Sequence, residues 1–479
     1  MAAPPPGLHE NFSEQGLWWR EGEEDDQVAG TLTFDPTDGP QLKLLGVLGD
    51  VESSLKAAFS GERDEDVTIH GVTTKGKPAT LMRAMNVNRQ LHMPGIPHET
   101  WRSNLLAVGI HLHSDHDEEI FSKSYLRFEA SERWLEHRPF TDSFDDAAKS
   151  LTVKAQKPRE VPFAHHDEFE VVSVGSLYQD NKPETRFTID VFSYLGIIPA
   201  APRSLNWHVN KAVRLQELAA LCTGHFLPLT SLELRGPEEK RPGGGTLPRD
   251  VIVYARMIHP EAGTRPKHEA PLVSGPELIG FNSKAVQTWF DQYELFSPAI
   301  GLFFTVTGEQ HMFTNVRLLL AIQALEVFHR RTSAETVMPP KDFPAFAAGL
   351  LEAIPAAATA SMKDKLKGVY RYLNEPSLNQ RLKSIVDNIE AAFGRAPAGF
   401  DKAARRKLVD TRNYYTHFSP ELDGRTLDGG SMYWASRRII LLLTLLFLQR
   451  LGIATSDIPT LLKRHREFAQ LWESDAVPV

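Results

Sequence analysis

The chain has 479 residues, of which 42% are hydrophobic and 24% charged, with one cysteine and a net charge of −8. That length exceeds one ordinary core and predicts two or three domains, in the composition range of soluble globular proteins rather than disordered or fibrous ones. A single cysteine excludes an intrachain disulfide framework and fits a reducing compartment, and the acidic balance excludes a general nucleic-acid coat protein.

The charge is uneven. Residues 301–479 hold 23 Lys and Arg against 18 Asp and Glu, a net +5, which leaves −13 on residues 1–300. A phosphate-seeking C-terminal half beside an acidic N-terminal half is expected from this, although +5 alone also fits ordinary surface charge.

Residues 1–10 are Ala/Pro-rich at the start, lack a cationic-then-apolar leader, and are expected to form a disordered tail. From Gly16 the pattern alternates: Leu17-Trp18-Trp19, then Val28 to Phe34, then Gln41 to Val47, separated by Asp/Gly/Pro turns. Further strands are predicted at Asp66–Val72, Ala79–Ala84, Leu105–His113, Tyr125–Glu129, Leu151–Ala155, Phe169–Val174, Thr185–Val191, Phe226–Leu234 and Asp250–Arg256. Many short strands with regular turns predict a β-rich sandwich or barrel-like domain over residues 11–270, interrupted by helices near Ser131–His137 and Val209–Thr223. Cys222 falls on the apolar pattern of the second helix and reads as an inert buried thiol. Residues 236–249 read as a mobile polar loop, and residues 260–277, rich in Pro and Gly, as a domain boundary.

Beyond the boundary the period becomes helical. Helices are predicted at 282–296, 312–332, 342–354, 361–374, 378–391, 401–417, 431–452 and 457–472, and short links between them imply an up-and-down bundle over residues 275–479. The longest apolar run, Ile439–Leu448, is about half of a bilayer span and reads as a buried helix, so a cytoplasmic protein without membrane contact is expected.

Within the bundle, Arg412-Asn413-Tyr414-Tyr415-Thr416-His417 joins a permanently cationic fork to a neutral-pH acid/base group. On a helix Asn413 and His417 share a face, where the amide can fix the imidazole tautomer. Arg412 and His417 stand roughly 140° apart around the axis, so one helix does not readily present both to one phosphate. Two such helices about a two-fold axis do. Such a cleft carries the groups for RNA cleavage without metal or cofactor: an imidazole to take the 2′-OH proton, another to protonate the leaving oxygen, and a guanidinium fork for the phosphate. Arg405, Arg406 and Lys407 lie about two turns earlier, where they can guide an RNA backbone; Tyr414 and Tyr415 either stack on bases or pack in a core or interface.

Arg-Asn-x3-His resembles the signature of the HEPN superfamily of nucleases, and here too it stands late in a helical bundle and precedes a strongly apolar helix, Tyr433–Leu451. The stretch Leu318–Arg330, with Ala324-Leu325-Glu326 followed by His329 and Arg330, resembles the first helix of the ApeA-like HEPN group. The front half resembles the β-rich domain that precedes the nuclease in ApeA-type proteins, through Gly16-Leu17-Trp18-Trp19, Val28–Phe34, Leu42–Gly46 and Leu126–Glu129 before Trp134. The resemblance implies an α+β multidomain chain, a β-rich sensor followed by an all-α HEPN nuclease. It implies Arg412 and His417 as catalytic, Asn413 as their polar support and a homodimeric active site. It also implies a role in anti-phage defence through cleavage of host RNA, tRNA foremost, with a phage protein as activator. Glu326, His329 and Arg330 either line the RNA cleft or form salt-bridged scaffold.

Other clusters carry less. His111 and His113 with Asp115, His116 and Asp117 have metal-ligand spacing but equally suit a polar strand end running into an acidic turn, and His165-His166-Asp167-Glu168 suits a surface turn. Gly243 to Gly245 lacks the Lys-Ser/Thr of a phosphate loop. Trp18, Trp19, Trp101, Trp134 and Trp207 either form an aromatic binding face or fill a core. The rival to a nuclease is a non-catalytic dimerisation or RNA-binding bundle joined to a β domain that recognises protein or glycan.

Overall fold

A computed structural model describes residues 5–49, 66–90, 94–113, 118–182, 186–240, 244–256, 270–308, 311–370 and 372–473. The chain divides into two compact units, Met1–Gln287 and Thr288–Val479.

The first unit is built on a closed six-stranded antiparallel barrel. Its strands are β1 (Phe12–Arg20), β2 (Val28–Asp35), β3 (Gly39–Leu45), β4 (Val67–Thr73), β5 (Pro78–Gln90) and β6 (His98–Arg102). They run in the order β1-β2-β3-β6-β5-β4 and return to β1, so no edge of this ring is left open. One edge of β5 serves two partners. Ala79–Met82 pair with β7 (Leu105–Val108), while Met85–Gln90 pair with β6. The handover falls at Arg83, whose φ of 51° bends the strand. From β7 the sheet continues through β15 (Thr246–Ala255), β14 (Leu229–Lys240), β8 (Lys123–Phe128), β13 (Arg186–Pro199) and β12 (Phe169–Lys182) to β11 (Val161–His166). A separate hairpin joins β9 (Phe140–Asp145) to β10 (Ser150–Ala155). Three helices complete the unit: α1 (Ser131–Trp134), α2 (Leu205–Thr223) and α3 (Gly275–Phe281).

Alternation along the strands sends Trp18, Leu32, Phe34, Leu42, Ile69, Leu81 and Trp101 into the core. Trp18 fits because two of its neighbours are glycines: it donates from Nε1 to the Gly30 carbonyl at 3.4 Å and lies across from Gly71 in the β1–β4 ladder. A Cβ at position 71 would stand 2.1 Å from the Trp18 ring. Trp19, Trp101 and Trp134 are also core residues and Trp207 is half-buried against Phe169, so the tryptophans do not make an exposed binding face.

Several sequence expectations change here. The tail is tied down from Pro6, whose carbonyl accepts from the Tyr254 hydroxyl, and Leu8 is buried with its amide on Thr230. Of the stretch read as a mobile loop, 236–240 and 246–249 continue the β14–β15 ladder, pairing Glu238 with Pro248 and Lys240 with Thr246. Strand β7 ends at Val108, and beyond it His111 donates to the Gly71 carbonyl at 2.9 Å. Asp115, His116, Asp117 and Gly243 lie outside the described residues, as does most of the stretch read as a boundary. No group of His, Cys, Asp and Glu placed to hold a metal ion occurs among the described residues. Cys222 is buried in α2, and burial pushes its thiol pKa up.

The second unit is helical: α4 (Ala285–Gly308, which starts just before its boundary), α5 (Thr314–Thr332), α6 (Phe343–Glu352), α7 (Ala360–Tyr370), α8 (Leu378–Phe393), α9 (Lys402–His417), α10 (Gly429–Arg450), α11 (Ile458–Leu462) and α12 (Arg466–Glu473). Helix α4 runs a dozen residues past its expected end, straight through Pro298. Proline frees the carbonyl four residues back. The Arg331 guanidinium takes it up, donating to Glu294 at 2.8 Å and to Leu295 at 3.0 Å. The last expected helix is two, because the Nδ1 of His465 accepts the Phe468 amide and caps a new start. The core centres on Phe296, Phe303, Phe328 and Phe447, with ring centroids 5.1–6.1 Å apart. Helix α10 alone among the described helices is long and apolar enough to cross a membrane, yet 72% of its most apolar window is buried as the core of this unit.

Candidate active-site cleft

Helix α9 begins at Asp401, whose carboxylate accepts from the amides of Ala403 and Ala404 at 2.8 and 2.9 Å. It ends at His417 because Phe418 turns left-handed, with a φ of 50°. Between these caps, buried Thr411 fixes the helix to the chain leading into α10, donating to the Lys407 carbonyl and accepting from the Leu427 amide. Arg412 and Asn413 are thereby aimed at α5.

Arg412 Nη1 donates to Asn413 Oδ1 at 3.1 Å, and its Nη2 stands 3.7 Å from Glu326 Oε2 on α5. Glu326 also faces Arg330 at 3.5 Å, and Arg330 in turn faces Glu375 at 3.1 Å. Buried Arg381 donates to the same Glu375 carboxylate at 3.0 Å. Carboxylate and guanidinium therefore alternate from α9 across α5 to the start of α8. Such a chain leaves no charge at the cleft unopposed and fixes each fork in direction.

Apart from buried Arg381, these side chains line an open cleft of about 610 Å³, together with Tyr372, Pro376, Ser377, Leu378, Asn379 and Val409. Of the residues singled out in the sequence, Arg412, Asn413, Glu326 and Arg330 meet there. His329, one turn of α5 from Glu326, does not. It is buried, with Nδ1 accepting from Arg381 Nη1 at 3.4 Å and Nε2 3.6 Å from Glu335. Burial, partly opposed by Glu335, holds its pKa below the ordinary imidazole value. His329 is thus a scaffold contact rather than a cleft residue.

Asn413 supports the arginine rather than the histidine, since its carboxamide oxygen is taken by Arg412. Arg405 is likewise engaged, donating to the Phe400 carbonyl at 2.6 Å from a half-buried position, which leaves Arg406 and Lys407 as the exposed cations of that run. His417 is exposed in the last turn of α9, outside the cleft lining. Around it Tyr414, Tyr415 and Phe418 form an aromatic cluster with centroids 5.2–6.2 Å apart, and Phe418 is 65% exposed.

Sequence reasoning missed the far wall of the cleft, Tyr372 to Asn379, and the buried Arg381 behind it. Their one local signal was the capping box of Ser377 and Gln380, which marks a helix start without saying what it faces.

Two family models match the chain. One, described as ApeA N-terminal domain 1, matches residues 13–289; the other, described as Apea-like HEPN, matches residues 319–457 and so contains Glu326, Arg330, Arg412, Asn413 and His417. No curated protein and no solved structure matches. With a barrel unit covered by the first model and the second covering α9 and all but the first turn of α5, the chain belongs to the ApeA-like HEPN family and is a HEPN-type defence protein carrying an ApeA N-terminal domain.

Proposed function

We propose that the helical unit is a metal-independent RNA endonuclease that works as a homodimer. Arg412 binds the scissile phosphate, Asn413 and Glu326 hold its fork in direction, and His417 transfers protons. One imidazole takes the ribose 2′-OH proton as the 2′-oxygen bonds to phosphorus. The bond from phosphorus to the 5′-oxygen breaks, and that oxygen takes a proton from the imidazolium of the second copy. The products are a 2′,3′-cyclic phosphate and a 5′-hydroxyl, and DNA is refused because it lacks the nucleophile.

One observation carries this reading. Arg412 lines the cleft, whereas His417, five residues on, stands exposed at the end of the same helix beside an aromatic cluster whose Phe418 ring is open to solvent. A second copy packed against that end, about a two-fold axis, supplies the missing imidazole and covers the rings.

The target is host RNA, most simply tRNA, in the cytoplasm, and cutting it stops growth of an infected cell. A constitutively active nuclease would poison its own host, so the acidic N-terminal unit keeps it quiet until a phage protein binds. The rival is a non-catalytic bundle, favoured by the way Glu326 and Asn413 already occupy part of Arg412. Induction in a bacterial host, with and without phage, separates the two. Phage-dependent growth arrest that His417→Ala abolishes, with an unchanged melting temperature, supports the nuclease; full protection by the variant refutes it.

A further inference from the structure

The cleft extends beyond the groups that the proposed chemistry uses. Tyr372 presents its ring there at 65% exposure, which is unusual for an aromatic side chain with no core role. The turn that carries it is pinned. Asn374, two residues on, receives the Val337 amide on its backbone carbonyl at 3.0 Å and the Met338 amide on its side chain at 2.8 Å. It donates back to the Met338 carbonyl at 3.1 Å. A ring held out on a fixed turn is a preorganised platform.

Next to it, Arg330 is half exposed, with Nη2 directed by Glu326 and Glu375. Asn379 completes the wall, and its side-chain oxygen is buried there without a hydrogen-bond partner. On the cleft the guanidiniums of Arg412 and Arg330 alternate with Glu326 and Glu375, and buried Arg381 lies behind Glu375, so an entering phosphate has two oriented forks within the cleft. The volume of about 610 Å³ admits a nucleotide.

Resting on the ribonuclease reading, we infer that Tyr372, Arg330 and Asn379 form a subsite for one unpaired nucleotide beside the scissile phosphate. Its base stacks on Tyr372, its phosphate meets Arg330, and Asn379 reads its edge. Stacking needs a free base face, so the substrate is single-stranded or looped RNA rather than helix.

The test uses the full chain carrying His417→Ala, so that RNA stays intact, and fluorescein-labelled RNA hexamers of each single base, read by anisotropy. Tyr372→Ala is expected to raise Kd about tenfold, within the range for one stacked base, and Tyr372→Trp to leave it near the parent value. Asn379→Ala is expected to narrow the differences among the four hexamers. An RNA duplex is expected not to compete. A Kd indifferent to Tyr372→Ala, equal competition by duplex, or no binding of any hexamer overturns the subsite. The ribonuclease reading is judged separately, by His417-dependent cleavage. If cleavage depends on His417 while binding ignores Tyr372, only the subsite falls. If nothing is cut but binding depends on Tyr372, the nuclease falls and the cleft remains an RNA site.

Discussion

Replacing Arg412 with lysine keeps the charge and removes the fork. The guanidinium now donates from Nη1 to Asn413 at 3.1 Å and places Nη2 3.7 Å from Glu326, which leaves its other N–H groups for a phosphate. An ammonium on a flexible stem cannot hold all three directions at once. Losing one oriented donor to a transition-state oxyanion costs about 3–4 kcal/mol, or roughly 100- to 1,000-fold in rate. The cost to the fold is smaller, because Arg412 is 36% exposed and an ion pair of that length is worth about 0–1 kcal/mol. Arg412→Lys should therefore lose at least about 100-fold of its 5′-hydroxyl RNA ends per unit of protein, with a melting temperature within about 4 °C of the parent. Activity within a few-fold of the parent would refute the fork argument. A large fall in melting temperature alongside the lost activity would make Arg412 a structural residue instead.

Co-producing equal amounts of parent and His417→Ala chains should leave about a quarter of full activity, since a cleft that needs both imidazoles works only in parent–parent pairs; half of full activity would mean each copy acts alone. Gly71→Ala should destabilise the barrel by about 1–3 kcal/mol or more in urea unfolding, because the new Cβ meets the buried Trp18 ring at 2.1 Å; an unchanged midpoint would contradict that packing. His208 is fully buried between Ser124 and the Phe121 carbonyl, and burial pulls its pKa from 6.5 down to about 4. The unfolded chain then binds the extra proton between those values, so stability falls as pH drops, by about 2 kcal/mol from pH 8 to pH 5; His208→Gln should remove that share of the slope, and an unaltered slope would exclude it.

What was legible in the sequence follows from how local each signal is. Helix α9 could be read because Asp401 caps it and its period is unbroken, and with it the spacing of Arg412 and His417. The expected helix at 282–296 stops a dozen residues before the end of α4, because the Arg331 contact that carries α4 through Pro298 comes from another helix. The barrel was only half visible. Strand β6 is five residues, two of them charged and one a histidine, and it exists because it pairs with β3 on one side and β5 on the other. Likewise nothing near Tyr372 shows that Asn374 anchors its turn to Met338, 36 residues away. The direction of Asn413 was misread for a subtler reason. The i+4 spacing points Asn413 at His417, whereas its oxygen accepts from Arg412, which Glu326 faces from another helix.

The central claim is that His417 and Arg412 cut RNA through the 2′-hydroxyl. Sequencing the RNA ends of infected cells that carry the parent or the His417→Ala chain tests it most directly. The account predicts new 5′-hydroxyl ends matched to 2′,3′-cyclic phosphates at defined positions, concentrated in tRNA and absent from the variant. Ends bearing 5′-phosphates, or the same ends in parent and variant, would contradict it.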